Sequence, residues 1–165
     1  MQAVWILLTA YPVYLVNCTP MAKLAKLGLI DFLGFSLWSS GFIFEVVADM
    51  QKISWQNRLG EQERKKQFIN EGLWTLSRHP NYFGEVMLWC GSFIMCASGM
   101  RGTAASVSML ISPLFVTGLL YKVSGVPLLE KSSDQRFGHL AEYQEYKRQT
   151  PEFIPKFPFS KSKTD

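Results

Sequence analysis

Four apolar runs, separated by polar and charged connections, organise this chain of 165 residues. Their lengths and composition predict membrane helices over residues 2–16, 27–47, 82–98 and 103–123. The first run is short for a span, because about 17 residues is the lower limit for a helix that crosses roughly 30 Å of hydrocarbon. We therefore expect an all-α fold, a polytopic membrane helical bundle of about four helices.

Small residues and one proline refine this prediction. The second run is rich in residues that let membrane helices approach closely, namely Gly28, Gly34, Ser36, Ser39, Ser40 and Gly41. The turn at 99–102 is short, so the third and fourth helices should pack antiparallel. Pro113 lies inside the fourth run and predicts a kink there.

The C-terminal tail has a different pattern. Its spacing predicts an amphipathic helix from Asp134 to Arg148, ended by Thr150 and Pro151. The following segment, PEFIPKFPF, contains three prolines and cannot form a regular helix. We expect this irregular segment to lie at the membrane interface or over the mouth of the bundle.

The positive charges favour a membrane orientation over nucleic-acid binding. The formal net charge is +4, and the Lys and Arg residues lie in loops rather than along one helix face. Six lie between Met50 and Asn81 and eight from Lys122 onward, which predicts a cytoplasmic location for both segments and leaves Lys23 and Lys26 on the opposite side. The three cysteines have no CxxC spacing, so neither structural disulfides nor a metal site is expected.

A polar stretch at the start of the third run carries the candidate chemistry. Pro80 fits the first position of a helix, and Asn81, Glu85 and Trp89 then recur on one face. An ionisable group in a membrane helix is costly unless it is paired or solvated, which makes Glu85 a functional candidate. The alternative is that Glu85 reaches the headgroup region. His79 likewise is either a capping or surface residue or part of a site.

The end of the second run holds further charged residues. Glu45, Asp49 and Lys52 fall on one helix face where the helix leaves the membrane, either as a solvated helix end with a local ion pair or as part of a binding site. Residues 54–67 form a strongly charged region that we place outside the bilayer, where it is either a solvated surface or a source of cations for phosphates.

These residues resemble those of a known family. SRHPNYFGE followed by LW is similar to the hallmark of the steroid reductase-like membrane family (DUF1295), which is related to the steroid 5α-reductases. A shorter form, RHPxYxG, also occurs in the isoprenylcysteine carboxyl methyltransferases. In the tail, GVPLLEK, the Arg136, Gly138, Tyr143 and Tyr146 pattern and the final FIP resemble the C-terminal signature of the family, so the resemblance covers nearly the whole chain.

The resemblance implies a reductase that transfers hydride from NADPH to an enone or alkene of a steroid or similar lipid. It also implies an integral protein of the endoplasmic reticulum membrane or the bacterial inner membrane. The tail, residues 126–165, would complete a cofactor site built on the membrane helices and loops of residues 1–125, within one membrane domain. The implied cofactor-binding residues are Asp49, Arg78, His79, Asn81, Tyr82, Glu85, Arg136 and Tyr146, with Glu85 also the catalytic candidate.

Family members usually have further helices before this point, which carry the residues assigned to the substrate carbonyl. We therefore expect this chain to begin partway into the family architecture. No GxGxxG lies between a strand and a helix, so a Rossmann fold is not the predicted cofactor site.

Two alternatives to the reductase remain open. One is an S-adenosylmethionine-dependent methyltransferase, although such enzymes resemble one another in a tandem Glu pair where this chain has Glu130 and Lys131. The other is a non-catalytic membrane protein that binds a lipid or a partner. The many Lys and Arg residues of the predicted cytoplasmic segments favour NADPH, because a dinucleotide carries several negative charges whereas S-adenosylmethionine has a cationic sulfonium.

Overall fold

The computed structural model describes residues 2–156, and this part of the chain is helical, with one isolated antiparallel β-bridge between Leu24 and Met100. The predicted all-α class is therefore confirmed. The helices are α1 (Gln2–Cys18), α2 (Leu29–Arg58), α3 (Glu61–Arg64), α4 (Pro80–Gly99), α5 (Thr103–Ser108), α6 (Ile111–Gly118), α7 (Val126–Phe137) and α8 (Ala141–Gln149). Short 3-10 turns cover Met21–Lys23 and Gly72–Thr75, and a π-helical turn covers Leu119–Val123.

Helices α2 and α4 pack together along glycines. A Cβ atom added to Gly41 would lie 2.7 Å from the carbonyl oxygen of Gly84, and one added to Gly91 would lie 2.7 Å from that of Gly34. These distances leave no room for a side chain, so the two backbones are in contact. The prediction of close helix approach is confirmed at Gly34 and Gly41.

Two described segments are long and apolar enough to cross a membrane, Leu29–Arg58 and Thr103–Phe137. Helix α1 is a shorter apolar helix, and many of its large apolar side chains are exposed, as are those of α2. These features agree with a membrane protein. The predicted total of four spans is not confirmed and stays a prediction.

The segment predicted as a kinked fourth helix is divided into α5, α6 and the π-helical turn. Pro113 has no N–H to donate to the carbonyl oxygen of Met109, which instead accepts a hydrogen bond from the Ser112 N–H at 3.2 Å. The helix is therefore interrupted at Met109 and Leu110, just before the proline. The sequence predicted a kink at Pro113, and the structure shows an interruption of the helix shortly before that residue.

The prediction of one helix from Asp134 to Arg148 is wrong, because the chain turns between α7 and α8. Gly138 is a poor helix former, and Leu140 is extended, with φ −88° and ψ 125°. The turn lets Phe137 and Tyr143 pack on Phe68, with ring centroids 5.9 and 5.2 Å from it. The predicted end of the helix before Thr150 is confirmed.

Residues 151–156 form a non-helical strap over the loop that precedes α4. The carbonyl oxygens of Pro151 and Phe153 accept hydrogen bonds from the Arg78 N–H at 2.9 Å and the Ser77 hydroxyl at 2.8 Å. This agrees with the predicted irregular segment. The rest of PEFIPKFPF lies outside the described residues.

Candidate functional site

A cavity of about 330 Å³ lies between the loop before α4 and helices α7 and α8. It is at the polar end of α2 and α4, away from the apolar faces of these helices. Charged and aromatic side chains line much of its wall, among them Lys52, Arg64, Trp74, Arg78, His79, Arg136 and Tyr146. Cavities of this size are typical of small-molecule sites.

The loop before α4 is fixed by specific hydrogen bonds. Pro80 is the first residue of α4, and the preceding residue, His79, is held out of the helical conformation at φ −134° and ψ 61°. The Trp74 indole N–H donates to the Ala48 carbonyl oxygen at 3.0 Å, and the Tyr146 hydroxyl donates to the Trp74 carbonyl oxygen at 2.7 Å. The loop is therefore attached to both α2 and α8.

Gly72 is the residue at which this loop turns. Its φ of +58° is in the left-handed region that favours glycine. The Gln51 side-chain oxygen accepts a hydrogen bond from the Leu73 N–H at 2.8 Å, and a Cβ on Gly72 would lie 2.5 Å from that oxygen. Glycine at this position therefore permits both the turn and its attachment to α2.

The carboxylate of Glu130 joins three parts of the site. Its two oxygens lie 3.1 Å from Arg78 Nη2, 2.9 Å from His79 Nε2 and 3.2 Å from Lys147 Nζ. Lys147 also pairs with Asp134 at 2.6 Å. Only 14% of the Glu130 side chain is exposed. Glu130 thus connects the loop before α4 to α7 and α8 through a largely buried ion-pair cluster.

Two buried nitrogen atoms of this wall have no hydrogen-bond partner among the described residues. They are Nδ1 of His79 and Nε of Arg78. Because the other ring nitrogen of His79 is bonded to Glu130, Nδ1 remains for a further contact. An unsatisfied buried polar atom costs about 1–3 kcal/mol, so a bound molecule that supplied a partner here would recover that energy.

Three lining cations have no ion-pair partner in the described part of the chain: Lys52, Arg64 and Arg136. Lys52 Nζ lies 5.1 Å from the centre of the Trp74 ring, and the Arg136 guanidinium lies 5.3 Å from that of Phe137. The local ion pair that the sequence allowed between Asp49 and Lys52 is therefore not formed. The wall carries more positive than negative charge.

The tyrosines of the wall remain neutral near physiological pH. Burial raises the pKa of Tyr146, and burial together with a hydrogen bond to Asp134 raises the pKa of Tyr143. Burial alone would lower the pKa of Lys147, but its hydrogen bonds to Asp134 and Glu130 raise it. Tyr146 thus stays a hydrogen-bond donor to the loop, and Lys147 stays charged.

The structure separates the predicted site residues into two groups. Arg78, His79, Arg136 and Tyr146 line the cavity. Asp49, Asn81, Tyr82 and Glu85 are not among its lining residues and lie on α2 and α4.

Contacts connect part of the second group to the first. The Asn81 amide donates to an Asp49 carboxylate oxygen at 3.0 Å, which links α4 to α2. The Tyr82 ring stacks on the His79 ring with centroids 5.9 Å apart. The assignment of these residues to a ligand stays a prediction.

Sequence reasoning did not select Glu130, Trp74 or Phe68 as site residues. Glu130 had a usable signal, since it is an acid that follows the apolar GVPLL segment. The sequence signal for Trp74 was weaker and consisted only of its position within GLW, shortly before the hallmark motif. Phe68 lies in a charged region, and nothing in that pattern indicates its contacts with α7 and α8.

A family model described as "Protein of unknown function (DUF1295)" matches residues 1–150. The matched range contains the loop before α4, the three unpaired cations and both C-terminal helices. Neither the curated proteins nor the solved structures gave a significant match.

Proposed function

The chain belongs to the DUF1295 family, the steroid reductase-like proteins, and on that premise we propose that it is a membrane-embedded, NADPH-dependent reductase of a lipid enone or alkene. The substrate would be steroid-like or another apolar lipid. Family membership supports the membrane setting, and the composition of the cavity wall supports the choice of cofactor.

The observation that carries this proposal is the set of three unpaired cations around one cavity, Lys52, Arg64 and Arg136. NADPH carries a pyrophosphate and a 2′-phosphate, and guanidinium and ammonium groups bind such oxygens through charge-assisted hydrogen bonds. The same cations would repel the sulfonium of S-adenosylmethionine. The cavity charge therefore favours the dinucleotide over the methyl donor.

The two buried nitrogen atoms that lack a partner suit the same ligand. With Nε2 donating to Glu130, His79 Nδ1 would accept a hydrogen bond from a ribose hydroxyl, while Arg78 Nε would donate to a phosphate oxygen. Trp74 and Tyr146 are among the aromatic side chains that line the cavity, and a nucleotide base would pack against such side chains. We assign these residues to cofactor binding.

We place the reacting end of the site deeper, along α4. Glu85 is five residues beyond Pro80, which corresponds to about 7–8 Å of helix rise toward the apolar region. When bound, NADPH would supply the hydride, and reduction of a C=C bond also requires a proton. In the proposed mechanism the Glu85 carboxylic acid donates that proton or polarises the lipid carbonyl, and Asn81 and Asp49 fix α4 against α2.

A ligand-stability comparison tests the proposed cofactor. We expect NADPH to bind the detergent-purified chain with micromolar affinity and to stabilise it by roughly 2.7 kcal/mol at a hundredfold excess over the dissociation constant. The affinity should fall as salt is added, since the contacts are ionic. Stabilisation by S-adenosylhomocysteine and not by NADPH would reverse the order of the two enzyme classes, and stabilisation by neither would exclude both cofactors.

A further inference from the structure

A second concave surface lies at the other end of α4. It is an open groove of about 560 Å³ whose lining includes Cys18, Lys23 and Arg101. Helix α4 has 20 residues, so its two ends are about 30 Å apart, which is the thickness of the hydrocarbon layer. Helix α4 packs along α2, one of the two described segments apolar enough to cross a membrane, and we therefore place the groove at the membrane surface opposite to the cavity proposed for NADPH.

The backbone around the groove is held in place. The β-bridge between Leu24 and Met100 joins the α1–α2 connection to the α4–α5 connection. Within it, the Ala25 N–H donates to the Gly99 carbonyl oxygen at 2.8 Å. Lys23 and Arg101 each lie next to a residue of this bridge, so the two cations are positioned by paired backbone rather than by free loops.

The groove is cationic and lacks counter-charges. Lys23, Lys26 and Arg101 are exposed, and no carboxylate of residues 2–156 forms an ion pair with them. The carboxylate of Asp31, near the start of α2, is engaged by the Ser98 hydroxyl at 2.6 Å and the Gly28 N–H at 2.7 Å. These exposed cations are therefore available to an anion from outside the described chain.

Apolar side chains beside these cations indicate the source of that anion. Met21 and Leu27 are 88% and 89% exposed, among the most exposed large apolar side chains of the described chain. A soluble phosphate would leave both in water. A lipid would not, because basic segments with protruding apolar residues bind anionic membrane surfaces by inserting the apolar groups beside the headgroups.

We propose that residues 21–27 and Arg101 bind the phosphate headgroup of an anionic phospholipid in the leaflet opposite to the NADPH cavity. Lys23 and Arg101 contact the phosphate, and Lys26 adds to the local positive potential. Met21 and Leu27 enter the apolar region beside the acyl chains. The lipid thus fastens the connection between α1 and α2 to that membrane surface, independently of any cofactor.

Cys18 provides a native reporter, because it is exposed and lines the groove, whereas Cys90 and Cys96 are half-buried in α4. The full chain is placed in nanodiscs of phosphatidylcholine alone or of an equimolar mixture with phosphatidylglycerol. Maleimide modification of Cys18 is followed by peptide-resolved mass spectrometry. We expect severalfold slower modification in the mixture.

The double variant Lys23→Ala with Arg101→Ala should abolish this protection. Each cation near an anionic surface contributes about fivefold in affinity for that surface. Removal of two cations should therefore weaken the retention of phosphatidylglycerol in native mass spectrometry by about thirtyfold. The matched control, Lys65→Ala with Lys66→Ala, removes the same charge from the segment directly after α3, at the other end of the bundle, and should keep the protection. Met21→Ser with Leu27→Ser keeps the cations and should still weaken retention.

Equal Cys18 modification in the two lipids would overturn the proposal, as would full protection in the Lys23 and Arg101 variant. Protection in neutral nanodiscs by soluble glycerol phosphate would show that the groove takes a free phosphate compound and not a lipid. None of these measurements depends on NADPH binding.

Discussion

The structure divides the hallmark motif at Pro80 into two regions of different chemistry. Arg78 and His79, before the proline, face a charged cavity closed by the C-terminal helices. Asn81 and the residues that follow lie on α4, which contacts α2 through glycines and the Asn81–Asp49 hydrogen bond. One continuous motif therefore contributes to two structures, a cavity wall and a helix contact.

The two regions are held together by different forces. The cavity wall depends on a few long polar side chains that meet at the Glu130 carboxylate. The α2–α4 contact depends on the absence of side chains, since Gly41 and Gly84 bring the backbones together. Substitutions on the two sides of Pro80 should thus change stability for different reasons. Only substitutions in the cavity wall, before Pro80, should also change nucleotide affinity.

The largest effect is expected from Glu130→Gln. This change leaves Arg78 without its buried counter-charge and Lys147 with Asp134 alone, which should cost about 3 kcal/mol in the free energy of unfolding, measured by SDS titration in mixed micelles. Glu71→Gln is the control, because its pair with Arg58 is at the surface and should contribute less than about 1 kcal/mol. Equal stability of the two variants would show that the cluster does not hold the tail to the loop.

Gly41→Ala should destabilise the α2–α4 contact by about 2 kcal/mol, since the new Cβ would lie 2.6 Å from the Leu88 backbone nitrogen. Gly118→Ala is the matched helical control, because nothing lies within 4 Å of its Cβ position and alanine is the better helix former. Unfolding titrations of both variants measure this difference. If Gly41→Ala is as stable as Gly118→Ala, the helices are not in backbone contact.

Arg136→Ala should weaken NADPH binding by about tenfold or more, because a hydrogen bond to a charged group contributes about 1.5–3 kcal/mol. Stability without ligand should change little, since no carboxylate of the described residues pairs with Arg136. Arg58→Ala, which removes a cation outside the cavity lining, is the control. Calorimetric titration of both variants with NADPH measures the difference in affinity. Equal affinities would remove Arg136 from the cofactor site.

The smallest effect, about 1 kcal/mol, is expected from Asn81→Ala, which removes a partly buried hydrogen bond to Asp49. Unfolding in mixed micelles should report this loss, while NADPH affinity stays within about twofold. The opposite result, weaker binding with unchanged stability, would place Asn81 in the cofactor site, as the family resemblance implies.

Local patterns predicted the helices better than they predicted the site. The start of α4 follows from the fixed φ of Pro80, and the α2–α4 contact follows from glycine spacing, because both signals are contained in short stretches of sequence. The turn at Gly138 was missed because it depends on the packing of Phe137 and Tyr143 against Phe68, far away in the chain.

The centre of the site was missed for the same reason. His79 and Glu130 are 51 residues apart in sequence, and only the folded tail brings them to 2.9 Å. The family resemblance named Arg78, His79, Arg136 and Tyr146, which do line the cavity, but it does not distinguish them from Asn81 and Glu85, which do not. The distinction follows from the fold: Arg78 and His79 lie in the loop that faces the tail, whereas Asn81 and Glu85 lie within α4, which packs on α2.

Hydrogen–deuterium exchange with and without NADPH tests the location of the cofactor most directly. NADPH should slow exchange in residues 67–79 and in helices α7 and α8, which surround the cavity, and should leave residues 18–26 and 99–105 unchanged, because they lie at the other end of α4. Slower exchange confined to the α2–α4 interface or to the opposite end, with none in residues 67–79, would contradict the assignment of this cavity to the nucleotide.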